Sequence, residues 1–220
     1  MGIARAAVVL AGGDAVDPAV RDALPDGAYV VAADSGLHQA EPLGLRVDRI
    51  VGDLDSADPD VVERAARAGA FVEAHPAEKD ATDLELALRH VVGEGIETVV
   101  VVGGAGGRLD HFLANALLLA SPAFSGAQVD AHMGGARVAV VRGGGRTVDL
   151  AGAVGDLVTL LPVGGPARGI VTEGLRYPLA GDDLDAGTSR GVSNELLGPR
   201  GSVRLESGTL LAVQPAGDAR

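Results

Sequence analysis

Cysteine and tryptophan are both absent from this chain of 220 residues, and the aromatic share is only 2%. The first absence excludes disulfides and thiolate catalysis and suits a cytoplasmic setting. The second and third leave Val, Leu and Ala to fill the core. No run approaches the ~20 apolar residues of a membrane span, and the short apolar stretch from Met1 to Gly13 lacks the long core of a signal peptide. The expectation is a protein neither exported nor membrane-bound. Positive charge is scarce as well: 18 Lys and Arg stand against 30 Asp and Glu, a net −12. No basic stripe is visible to displace phosphate counterions, so no nucleic-acid partner is expected. What is plentiful is apolar material, 47% against 22% charged, which is enough for an ordinary buried core. The 33 glycines point to many tight turns.

The length allows two modest domains, and the pattern changes character partway along. Ala6 to Leu10, Ala28 to Ala33, Arg49 to Val51, Ala70 to Ala74 and Thr98 to Val102 are aliphatic runs without polar alternation, the mark of strands buried on both faces. Helix-like stretches lie between them: Leu84, Ala87, Leu88 and Val91 fall on one helical face, and a second helix is predicted over Asp110 to Leu119. The fold class is α/β, an N-terminal doubly wound, mostly parallel sheet followed by a C-terminal antiparallel β-sandwich domain. After a sixth strand at Gln128 to His132 the boundary falls near Gly134, giving domains 1–133 and 134–220. Short alternating runs follow at Val138 to Val141, Thr147 to Leu150, Leu157 to Leu161, Ile170 to Thr172, Val203 to Leu205 and Leu210 to Val213. Gly143 to Gly145 and Gly164-Gly165 read as hairpin turns.

In an open parallel sheet, ligands bind beyond the carboxyl ends of the strands. There this sequence repeatedly carries acids: Asp34, then Gly52-Asp53-Leu54-Asp55-Ser56, then Lys79-Asp80-Ala81-Thr82-Asp83, then Gly106-Gly107-Arg108-Leu109-Asp110-His111. Carboxylates crowded on one rim repel one another and ask for a cation. Magnesium fits, because it takes a few hard oxygen ligands and leaves room for substrate phosphates. Lys79 and Arg108 would then face phosphate oxygens. The turn Gly103 to Gly107 can bring backbone N–H groups to a phosphate at a helix N-terminus, although it is neither a Walker A loop nor a dinucleotide fingerprint.

Each feature also has a structural reading. Asp80 is an acceptable N-cap with Asp83 as its third-position partner, and Asp53 and Asp55 are natural turn formers beside Gly52. His111 reads more readily as a packing residue than as a proton shuttle. Lys79 and Arg108 are compatible with ordinary solvated charges. A metal and phosphate site, by contrast, predicts all of these residues together at one edge.

As an ordered set the motifs resemble those of the thiamine pyrophosphokinase family. Ala33-Asp34-Ser35-Gly36 resembles its early Asp-Gly-Gly segment, and Gly52 to Ser56 its GDxDS signature. Lys79 to Asp83 is similar to its KDxTD motif, and Gly107 to His111 with Asn115 to GRxDHxxxN. Further on, Tyr177-Pro178-Leu179 and Ser193-Asn194-Glu195 are similar to its YPL and SNE elements. The resemblance implies transfer of the diphosphate of ATP to the hydroxyl of thiamine, with Mg2+ and ATP bound by the first domain. It also implies a second domain that binds thiamine, and a homodimer. It makes Asp53, Asp55, Asp80 and Asp110 the catalytic acids, with Asp53, Asp55 and Asp80 on the metal. Asp34, Lys79, Asp83, Gly107, Arg108, His111 and Asn115 are the expected nucleotide and metal-side contacts. Ser193, Asn194 and Tyr177 are the expected thiamine contacts. Ser35 stands where Gly is usual, and Leu37-His38 where Ala-Asn is common. A pyrophosphokinase for another alcohol, such as a hydroxymethylpterin, and a non-catalytic nucleotide-binding protein are the competing readings.

Overall fold

The computed structural model describes residues 6–144 and 146–216, so Gly145 of the expected hairpin turn and the first five residues of the Met1 to Gly13 run lie outside them. The chain divides into two compact units between Gly135 and Ala136.

The first unit alternates strands and helices: β1 (Ala6–Leu10), β2 (Tyr29–Ala33), β3 (Arg49–Gly52), α1 (Pro59–Arg67), β4 (Phe71–Ala74), α2 (Asp83–Gly93), β5 (Thr98–Val102), α3 (Leu109–Leu119) and β6 (Gln128–Met133). Within this unit the strand order is β6-β5-β1-β2-β3-β4 and every pairing is parallel. The chain winds outward from β1 to β4, then crosses back to β5 on the other side of β1. The strand order therefore reverses between β1 and β5, the place where such sheets bind ligands. Val8, Val9, Leu10, Val31, Ala32, Ile50, Val99, Val101 and Val102 are almost wholly buried, which is why these strands show no polar alternation. Helix α2 buries the expected face, Leu84, Ala87, Leu88 and Val91.

The N-cap of α2 is Thr82, whose hydroxyl accepts from Glu85 N at 3.2 Å. Asp80 is thus not the cap, and Asp83 is the first helical residue rather than a capping partner. The 3-10 turn Asp34–Gln39 accounts for the unusual Leu37-His38 pair. Leu37 is a core residue, and His38 Nε2 meets the N–H of Asp58 at 3.2 Å, just ahead of α1.

The second unit contains β7 (Ala136–Arg142), β8 (Val148–Ala151), β9 (Leu157–Pro162), β10 (Ala167–Glu173), β11 (Ala180–Leu184), β12 (Asn194–Glu195), β13 (Arg200–Arg204) and β14 (Thr209–Gln214). The orders are β12-β9-β14-β7 and β11-β10-β13-β8, all antiparallel. Side chains from both sets, among them Val141, Leu150, Leu160, Ile170, Leu184 and Leu210, form one core, as in a sandwich. The strand pattern overlooked β11 and β12. The first reads Ala-Gly-Asp-Asp-Leu, with too little apolar content to announce itself, and it lies at the edge of its sheet, where charge blocks stray pairing.

Candidate active site

A cleft of about 700 Å3 opens at the carboxyl ends of the first unit's strands. Its wall is built from the loops after β1 and β5, which lie on either side of the reversal point. The two loops are joined by Ala11 N to Val102 O at 2.8 Å, Gly104 N to Gly12 O at 2.8 Å and Asp14 N to Ala105 O at 2.7 Å. Such proximity demands glycine: Gly13 has φ +127°, and a Cβ there would collide with the carbonyl oxygen of Ala105. Gln39, 5% exposed, fixes the first loop from behind, donating to Asp14 O at 2.9 Å and accepting from Val16 N at 3.1 Å. Asn115 does the same for the second, donating to Gly104 O at 2.9 Å. The loop after β1 and Gln39 escaped the sequence analysis. The signal present was Gly12-Gly13 directly behind a buried strand; Gln39 gave none, since a lone Gln on a short turn looks like surface.

On the cleft's acidic side, Asp34 and Asp53 follow β2 and β3, and Asp83 opens α2. One carboxylate oxygen from each lies within 4.8 Å of the others. Asp34 is 7% exposed and sits in the left-handed region at φ 46°. Its Oδ2 accepts from the Ser56 hydroxyl, while its Oδ1 is buried without a hydrogen-bond partner. Lys79 Nζ pairs with Asp53 Oδ2 at 2.7 Å and with Asp83 Oδ1 at 2.9 Å. The second contact lies outside hydrogen-bonding geometry, so Asp83 Oδ1 is also buried with no hydrogen bond. Gly52, φ +152°, makes the convergence possible: a Cβ there would stand 3.0 Å from both Asp34 Cβ and Asp83 Oδ1.

The charges are unbalanced. Hydrogen bonds from Lys79 and then from the Asp55 N–H hold Asp53 below the usual carboxylate range. Asp55, exposed beside it, is pushed up, first by the charge of Asp53 and further by Asp34 and Asp83. Burial works against the Lys79 ammonium, but its contacts with the Asp53 and Asp83 carboxylates outweigh it and leave its pKa raised. One ammonium among four carboxylates leaves excess negative charge, and two buried oxygen atoms have no hydrogen bond. An all-oxygen donor set of this kind suits a hard divalent cation such as magnesium.

At the other end of the cleft, α3 begins at Leu109 with no side-chain cap, so the amides of its first turn are left for an anion. Arg108 lines the cleft there and forms an exposed ion pair with Asp110 at 2.6 Å. The hydrogen bond from Arg108 is the main cause that lowers the Asp110 carboxyl to about 2.

Of the expected residues, Asp34, Asp53, Lys79, Asp80, Asp83, Gly107, Arg108, His111 and Asn115 all line this cleft. Asp55 and Asp110 stand outside the lining, and the carboxylates that meet within 4.8 Å are Asp34, Asp53 and Asp83. In the second unit, Asn194 is buried and its amide is occupied: Oδ1 accepts from Tyr177 N at 3.0 Å and Glu195 N at 2.9 Å, and Nδ2 donates to Tyr177 O at 2.7 Å. It holds the backbone beneath Tyr177, whose side is 59% exposed with the Arg176 guanidinium 5.7 Å from the ring. Ser193 adopts φ 57° beside it. Among the described residues, the non-glycines with left-handed φ are Asp34, Leu54 and Ser193, each inside a motif singled out by the sequence.

Residues 20–130 match the family model for the thiamin pyrophosphokinase catalytic domain, and residues 147–210 match that for the thiamin pyrophosphokinase vitamin B1 binding domain. A thiamine pyrophosphokinase of Bacillus subtilis is 24% identical over 184 residues, 84% of this chain and 86% of that protein. The crystal structure of thiamin pyrophosphokinase from Geobacillus thermodenitrificans is 26% identical, with a TM-score of 0.79 over 97% of this chain and 99% of that one. That of the Bacillus subtilis enzyme, 22% identical, superposes with a TM-score of 0.82 over 96% and 99% of the two chains, a likeness of fold. The motifs, the cleft and these matches agree: the chain belongs to the thiamin pyrophosphokinase family.

Proposed function

We propose that this chain transfers the diphosphate of ATP to the primary hydroxyl of thiamine. The hydroxyl oxygen attacks the β-phosphorus, the bond from that phosphorus to the oxygen bridging the α-phosphate breaks, AMP leaves, and the hydroxyl proton is lost. The observation that carries the reading is the converging set Asp34, Asp53 and Asp83 with Lys79, set beside two interlocked glycine loops and an uncapped helix start. Magnesium, held by the three carboxylates, would supply charge neutralisation for the phosphates. Lys79, Arg108 and the first amides of α3 face phosphate oxygens, spread the charge that develops on them and hold the chain in line. Asp80, on the cleft wall, is the acid placed to take the proton, whereas Asp110 is paired with Arg108 and lowered to about 2, too weak a base.

Residues 1–133 serve as the ATP and magnesium domain and 134–220 as the thiamine-binding and dimerisation domain, with Tyr177 and Ser193 as the side chains that meet the acceptor. The protein works in the cytoplasm as a homodimer. Outside that domain, α3 offers a second surface for self-association, with Leu109, Leu113 and Leu117 on one stripe, 70%, 50% and 54% exposed. Leu113→Glu should shift the mass measured by light scattering towards the monomer, and an unchanged mass would remove this stripe from the interface.

The test of the reaction is AMP release from ATP and magnesium by the purified protein, with thiamine or with a hydroxymethylpterin. Thiamine-dependent AMP with thiamine diphosphate supports the proposal. Stimulation by the pterin alone would overturn the acceptor, and silence with both would favour nucleotide binding without transfer.

A further inference from the structure

We infer that Ser56 is a positioning residue, whose hydroxyl fixes Asp34 so that one carboxylate oxygen is aimed at the cation shared with Asp53 and Asp83. The inference rests on the cation reading proposed above. It begins from the unequal fates of the two Asp34 oxygens: Oδ2 takes the Ser56 hydroxyl, and Oδ1 is buried with no hydrogen-bond partner. A hydroxyl has a single proton to give, so Ser56 engages one oxygen and leaves the other.

Without such a contact an Asp carboxylate turns easily, because its terminal torsion is broad and nearly two-fold. Either oxygen would then face the cluster, and neither would be held there. Gly52 supplies no such restraint: with no Cβ it leaves room for Asp34, whose Cβ would stand 3.0 Å from one there. The backbone at φ 46° directs the side chain away from the path of the strand, and the Ser56 contact completes that aim by tying the loop after β2 to the loop after β3. Ser56 lines the cleft with Asp34 and Asp53, three residues after Asp53 in the loop that follows β3. One loop therefore supplies both an acid of the close set and the hydroxyl that orients another acid. Groups behind metal ligands commonly act in this way.

The experiment is a titration with Mn2+, followed by the electron paramagnetic resonance of the free ion, with no nucleotide and with a non-hydrolysable ATP analogue. Wild type, Ser56→Ala, Ser56→Thr, Asp34→Asn and the double variant Asp34→Asn with Ser56→Ala are compared. Ser56→Ala should weaken Mn2+ binding about tenfold, while Ser56→Thr, which keeps the donor, stays close to wild type. On the Asp34→Asn background the alanine change should add nothing further. In turnover, Ser56→Ala should raise the magnesium needed for half-maximal AMP release and leave kcat at saturating metal near wild type. Undiminished Mn2+ binding by Ser56→Ala would overturn the positioning role and leave the cation site standing. So would a loss in Ser56→Thr as large as in Ser56→Ala. Failure of the wild type to bind Mn2+ with or without the analogue would overturn the cation reading and this inference together.

Discussion

Tyr29 and Arg49 open the strands that Asp34 and Asp53 follow, so β2 and β3 carry a charged cluster at each end. At the opening end every group is answered. Arg49 Nε donates to Tyr29 Oη at 3.0 Å, Arg49 reaches Glu73 Oε2 at 2.6 Å, Tyr29 meets His90 at 3.2 Å, and Glu73 Oε1 continues along β4 to His75 at 3.1 Å, past that strand's carboxyl end. Cation and carboxylate are matched, and Arg49 also covers the Phe71 ring at 4.4 Å. At the closing end, Lys79 faces four acids and two buried oxygens lack hydrogen bonds. A self-satisfied cluster stabilises a fold, whereas an unsatisfied one held in place by strained backbone is arranged for something the chain does not itself contain.

The largest expected effect lies at the unsatisfied end. Asp53→Asn should lower turnover about a thousandfold, because it removes negative charge aimed at the cation that neutralises the phosphates. The melting temperature should barely fall, since one repelling acid is gone and Lys79 keeps Asp83. A folded Asp53→Asn enzyme with near-normal AMP release would erase the contrast between the two ends. Lys79→Ala should act chiefly on the nucleotide, raising the KM for ATP roughly tenfold through the lost phosphate contact. An unchanged ATP dependence would return Lys79 to a structural role.

How far the sequence alone carries follows the same division. Strands at the centre of the sheet, such as Thr98–Val102, match their aliphatic runs residue for residue, because burial on both faces leaves an unmistakable composition. The acids after β2 and β3 were legible because strand ends in this architecture are where ligands bind. What the sequence could not supply was which acids converge. Asp55 and Asp80 have the same chemistry as Asp34 and Asp83, and the choice among them depends on the left-handed turn at Asp34 and on a helix that starts at Asp83, one residue after its Thr82 cap. The resemblance makes Asn194 a thiamine contact, and no sequence pattern shows that its amide bonds to the backbone of Tyr177 and Glu195. The opening-end cluster left no trace at all, since its members are scattered from Tyr29 to His90 and meet only across neighbouring strands and α2.

Effects at the satisfied end should fall on stability and leave catalysis alone. Tyr29→Phe removes a hydroxyl that accepts from Arg49 and contacts His90, and should cost about 1 kcal/mol in chemical denaturation, with AMP release unchanged. A fall in turnover beyond the loss of folded protein would show that the two ends are coupled through β2. The smallest effect is one of pH. His90 is held below its ordinary 6.5, first by burial and then by the charge of Arg49, while Glu94 and Glu73 pull the other way. The unfolded chain therefore takes up this proton more readily than the folded one. Stability from this source is fully present above the unfolded value of 6.5 and declines as the pH falls through it towards the lower folded value. His90→Gln should flatten that decline, seen as a smaller drop in Tm between about pH 7 and about pH 5 than in wild type. If the variant's Tm falls as steeply as the wild type's, the proton is being taken up elsewhere, and the acids of the cleft become the groups whose environment sets the acid limb.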